Sequence, residues 1–323
     1  MKVSRGGDRP RLKNGPLATN RTCRLPPVAT RTFFIARVVR EGMRVFISAD
    51  MEGVTGVATP DDIATDGATY ERGRELFVGD VNAAIEGALD AGAEDVLVND
   101  AHSSMTNLPR DRLHEGATLI RGNTKPRSMM QGLGHDHGVA CFVGYHAMAG
   151  TEAAVLNHTF VGHELLRLRV AGTETGELGW NARLAGALGV PVGLVTGDDA
   201  TAAEAHTELG SAVETVAVKR AIDRFSAACR PPEEARAAIR AGAAAAVEAA
   251  REGTLEPTRP AEPATIEADW SATNHAARAG ALPGVSRPSA RTTAVTADDY
   301  SSAYEGTVAM LRAGIAGRDE RYG

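Results

Sequence analysis

The chain has 323 residues, 43% of them hydrophobic and 24% charged, and a formal net charge of -6. That charge is uneven: residues 1–42 hold ten Lys or Arg against Asp8 and Glu41, which leaves the remainder at -14. An acidic body excludes nucleic acid as the partner, because phosphate binding rests on clustered bases, and no apolar run approaches the ~20 residues that span a membrane.

Residues 1–42 are rich in Arg, Pro and Gly, and their one apolar run, Phe33 to Val39, is interrupted by Arg37. That pattern is no secretory signal. It reads as a disordered extension, or as sequence upstream of a start at Met43. Cys23, Cys141 and Cys229 are odd in number and form no Cys-x-x-Cys pair, which fits a reducing, cytoplasmic setting.

From Met43 the chain alternates between strand-like and helix-like runs. Arg44 to Ala49 is a β-rich run ending at Asp50, and Tyr70 to Ala91 carries apolar residues at helical spacing. Strands follow at Asp95 to Asn99, Ala117 to Arg121 and Val139 to Tyr145, a βαβ signature of a mostly parallel sheet flanked by helices. Glu164 to Val170 leads into an Ala-Gly-Thr turn, then a helix from Gly176 to Leu188 and a strand from Val190 to Val195. Beyond these, Ala217 to Cys229 and Pro232 to Glu252 are predicted helices, and Leu255 to Pro263 a proline-rich linker. Strands at Ala264 to Trp270 and Arg291 to Thr296 precede a last helix from Asp298 to Ala313. The expected organisation is an α/β domain over 43–200 that carries the site, followed by a smaller α+β unit over 201–323.

Open α/β sheets bind ligands at the carboxyl ends of their strands, and polar residues gather there. Asp50 and Glu52 follow the first strand, and their i, i+2 spacing puts both carboxylates on one side of an extended chain. His102 follows the second, with Asp100 near enough to orient its ring. His146 closes the strand from Val139, His158 sits in Asn-His-Thr, and Glu177 opens a helix. Each has a structural alternative: a turn cluster for Asn99 to Ser103, a satisfied core histidine for His146, a dipole-favoured acid for Glu177. Together they supply the carboxylate and imidazole donors that divalent metals take.

Asp198 and Asp199 are expected to cap the next helix or to sit behind the site's ligands. Lys219 is expected either to meet a substrate carboxylate or to form a salt bridge on a helix. His114, His135, His137, His163, His206 and His275 are read as structural or solvated.

The strings RVFISADMEGVTGV, VLVNDAHSSMTNL, FVGYHAMAG, LNHTF and TGELGWNA, in that order, resemble the D-aminopeptidase family of zinc metallopeptidases over about residues 43–318. The resemblance implies two zinc ions held by Asp50, Glu52, His102, His146 and Glu177, with Asp50 bridging, and His158 as the catalytic histidine. Manganese or cobalt could replace zinc. It implies removal of the N-terminal residue from short peptides such as D-Ala-D-Ala by water activated between two metals, and a ring-shaped homo-oligomer, a decamer. A dinuclear amidase and a metal-stabilised peptide-binding scaffold are the competing readings.

Overall fold

The computed structural model describes residues 42–316. The extension expected over 1–42 lies outside the described residues, save for Gly42. The first sheet is built from β1 (Met43–Ala49), β2 (Ala93–Asp100), β3 (Ala117–Ile120), β4 (Val139–Val143), β7 (Val192–Asp198), β8 (Glu214–Asp223) and β9 (Ser226–Cys229). Their order is β3-β2-β1-β4-β7-β8-β9, and every neighbouring pair is parallel except the β8–β9 hairpin. The second sheet is antiparallel and contains β5 (Leu165–Val170), β6 (Thr173–Thr175), β10 (Ala264–Trp270), β11 (Val285–Ser286) and β12 (Thr292–Ala297), in the order β11-β12-β10-β5-β6.

Side chains on β1 alternate between two cores, as the period of two in a strand requires. Val45 and Ile47 face α1 (Tyr70–Asp90) and α4 (Pro232–Glu252), through Phe77, Val81, Ile85, Ile239 and Val247. Phe46 faces the other way, into a core shared with Phe142, Tyr145 and Ile266. That second core also takes Trp180 and Leu184 from α2 (Glu177–Ala187) and Tyr304 and Leu311 from α6 (Tyr300–Ile315). Covered on both faces, the parallel strands carry near-continuous apolar runs.

Two expectations change. Ala217 to Cys229 is not a helix but most of the β8–β9 hairpin, turning at Arg224 and Phe225. Val216 and Val218 point inward at a period of two while pairing with β7, and that pairing overrides the helix preference of Ala, Lys and Arg. The divide at residue 200 does not follow the sheets. β8 and β9 continue the first sheet past it, and β5, which precedes it, pairs with β10. Elsewhere α3 (Asp199–Leu209) is capped by Asp198, whose side chain accepts from Thr201 N, as expected. The short α5 (Thr273–Ala279) and β11 have no counterpart in the sequence reading.

Candidate metal centre

The order β2-β1-β4 sets three parallel carboxyl ends side by side. Asp50 and Glu52 leave β1, His102 leaves β2, and His146 follows β4. Glu177 enters from the first turn of α2, and His158 from the long connection between β4 and β5. All six expected residues therefore converge, and Asp50, Glu52, His102, His146 and Glu177 are each buried.

Close backbone packing lets the chain turn here. Gly53 donates its N–H to the Gly144 carbonyl, and a Cβ on Gly53 would stand 1.9 Å from the Tyr145 oxygen. Gly144 has φ of 74°, and a Cβ there would meet the Asp50 carbonyl at 2.1 Å. Only glycine fits either position.

His102 Nδ1 lies 3.2 Å from Asp50 Oδ1 and 3.0 Å from Glu52 Oε2. His146 Nε2 lies 3.7 Å from Asp50 Oδ2 and 3.3 Å from Glu177 Oε1. His158 stacks on His146 with centroids 4.1 Å apart, its Nε2 3.9 Å from Glu52 and 3.8 Å from Glu177. The other nitrogen of each ring donates to a backbone carbonyl: His102 Nε2 to Ile63, His146 Nδ1 to Ala147, His158 Nδ1 to Leu156. Those bonds fix which nitrogen faces the carboxylates.

The expected role of Asp100 is different in the structure. Its carboxylate accepts from Asn107 N, Asn107 Nδ2 and Leu108 N, so it shapes the loop after β2 rather than the His102 ring. Asp198 also accepts from Val155 N, which anchors the segment leading to His158.

The donors form overlapping groups. Asp50, Glu52 and His102 make one, and Asp50, His146 and Glu177 a second; a third joins Glu52 and His146 to His158. Burial and the neighbouring Glu52 push Asp50 up to about 7. Burial also works to raise Glu52 and Glu177, but the facing histidines hold both below the usual carboxylate range. His158 is lowered by burial and by His146. Three carboxylates packed this closely, away from water, fit a cationic centre, because buried charge needs a partner. The oxygen and imidazole donors match zinc or a similar divalent ion.

A cavity of ≈ 800 Å³ opens over the cluster, bounded by Ile63, Met105, Met129, Phe160 and Val161. Of two further basic residues in this region, the sequence reading singled out Lys219 and not Arg312. Lys219, expected on a helix, is buried on β8 and donates to three carbonyls of the 52–57 loop, and Arg312 on α6 lines the cavity.

A mostly parallel sheet with buried carboxylates and imidazoles at its carboxyl edge defines an α/β metallohydrolase. The chain belongs to the D-aminopeptidase family, whose model matches residues 43–309. The D-aminopeptidase of Bacillus subtilis (strain 168) is 36% identical over 271 residues, 83% of this chain and 96% of that protein. The solved structure of the Zn-dependent D-aminopeptidase DppA from Bacillus subtilis, described as a self-compartmentalizing protease, matches with a TM-score of 0.81. Its identity is 32%, over 86% of this chain and 99% of that chain.

Proposed function

We propose that the chain is a two-zinc aminopeptidase that removes the N-terminal residue of short peptides carrying D-amino acids. The observation that carries this reading is the pair of donor groups that share Asp50. In this reading Asp50, Glu52 and His102 would hold one ion and Asp50, His146 and Glu177 the other, with Asp50 common to both groups. Metal ions held there would supply a lowered pKa for water and polarisation of the scissile carbonyl.

His158 is assigned to proton transfer and not to ligation. Its side chain is 17% exposed, against 8% for His102 and 2% for His146, so it is the imidazole most open to the cavity. Its Nε2 takes up a proton and delivers it to the leaving amine, a task that imidazole suits near neutral pH. His158→Ala is expected to retain the metals and lose about 10²–10⁴-fold in turnover. Metal analysis beside steady-state kinetics reads both; loss of metal in step with activity would make His158 a ligand.

The reading as a whole is tested by release of D-Ala from D-Ala-D-Ala, with L-Ala-L-Ala alongside, before and after chelation. Cleavage of the D-dipeptide is expected, abolished by chelator and restored by zinc. Cleavage of the L-dipeptide alone would keep the metallopeptidase and remove the D preference.

The self-compartmentalizing character of the Bacillus subtilis protease supports a ring-shaped homo-oligomer, a decamer, that encloses its sites. Leu166, Ile222 and Phe225 are large apolar side chains left exposed on this chain, which suits an assembly contact. Light scattering reads the subunit number. None of the helices among the described residues is long and apolar enough to cross a membrane. The free thiols Cys141 and Cys229 suit a cytoplasmic setting.

A further inference from the structure

The cavity over the cluster has an uneven charge distribution. Its acidic lining residues, Asp50, Glu52 and Glu177, belong to the candidate metal centre, whereas among the described residues Arg312 is its one lysine or arginine. Arg312 Nη2 donates to the carbonyls of Asn123 and Lys125, at 2.9 and 3.1 Å, which fastens the last turn of α6 to the connection after β3. Among the described residues no carboxylate pairs with this guanidinium, and its Nε and Nη1 donors make no hydrogen bond. A second observation lies on the same wall. Ser128 lines the cavity, is fully buried with φ of 44°, and among the described residues its Oγ has no hydrogen-bond partner. A buried hydroxyl without a partner is uncommon and calls for one.

We propose that Arg312 and Ser128 form a subsite for the free C-terminal carboxylate of the peptide. A guanidinium held on one edge by backbone carbonyls keeps its remaining N–H groups in a fixed fork, which suits a planar carboxylate. A substrate then has its amine end at the acidic metal centre and its carboxylate at Arg312. This rests on the aminopeptidase reading and narrows its substrates to peptides short enough to bridge the cavity with both termini free. A cavity of ≈ 800 Å³ admits only short peptides at up to ~3.6 Å per extended residue. Arg312 lies beyond the residues matched to the family, 43–309.

The test compares D-Ala-D-Ala with its C-terminal amide, in wild type, Arg312→Gln and Arg312→Lys, by turnover and by calorimetric binding to the zinc-loaded protein. Wild type is expected to favour the free acid, and Arg312→Gln to lower the acid-to-amide ratio about ten- to a hundredfold, chiefly through KM, the scale of a charge-assisted hydrogen bond. Arg312→Lys should recover part of that ratio. Ser128→Ala should lower it by a smaller factor. A ratio of one in wild type, or an equal loss on acid and amide in Arg312→Gln, would overturn the subsite. No turnover of either ligand, with the binding ratio preserved, would remove the peptidase reading and leave the subsite standing.

Discussion

Asp50→Asn is expected to release both metal ions together and to lower turnover by about 10³-fold or more, the several kcal/mol that metal chemistry supplies. The reason is in the two oxygens. Oδ1 faces His102 at 3.2 Å and Oδ2 faces His146 at 3.7 Å, so each oxygen serves a different donor group. Asparagine keeps the shape but offers one neutral acceptor in place of a shared anion. His102→Ala, by contrast, should empty only the position formed with Glu52. Zinc per chain after gel filtration distinguishes them. Two ions retained by Asp50→Asn would refute the bridging assignment.

The same substitution should act in the opposite direction on the metal-free fold. Burial and Glu52 raise Asp50 to about 7 from an ordinary value of 3.8, so the folded chain holds this proton more tightly than the unfolded chain does. The stability contributed by that tighter proton is present in acid and is lost as pH rises through 7. Asparagine has no such proton to lose. In chelated protein at pH 8, Asp50→Asn is therefore expected to unfold at a higher urea concentration than the parent, and the difference should shrink below pH 4. A site kept for stability alone would show no such conflict.

Much of the candidate donor cluster was legible in the sequence because four of its residues follow strand ends. Apolar runs over Arg44 to Ala49, Asp95 to Asn99 and Val139 to Tyr145 mark parallel strands, and the polar residues after them share one sheet edge. His158 and Glu177 lie on no such edge; donor chemistry set them beside the others, and the family resemblance gave them their roles. The β8–β9 hairpin was hidden because a buried lysine interrupts its alternation, and because the alanines of an edge strand read as helix. Arg312 was invisible for another reason. An arginine in the last turn of a helix is the ordinary complement of the helix dipole, and its place at the cavity depends on how α6 packs across 187 residues of sequence against the loop at Lys125.

Lys219 carries the other large effect. Its ammonium is buried on β8, and its three N–H groups donate to the carbonyls of Glu52, Val54 and Val57 at 2.6, 3.0 and 2.7 Å. Burial lowers its pKa to about 8, so it is still charged at pH 7. The three acceptors belong to the loop that turns immediately after Asp50, and the first is the carbonyl of Glu52 itself. Lys219 thus replaces the strand partners that this loop left behind, one donor for each inward carbonyl. Lys219→Met keeps the stem and removes all three donors, which leaves three acceptors with no partner. Leaving a buried acceptor without its partner costs about 1–3 kcal/mol, and three carbonyls lose theirs here, so a loss of at least that is expected. Urea unfolding at pH 7 reads that loss. Where the variant still folds, zinc should be held more weakly at the Glu52 position than at the Glu177 position, since only the first stands on this loop. Unchanged stability and equal metal affinities would mean that water takes the place of the ammonium, and that the loop is held from the Gly53–Gly144 side alone.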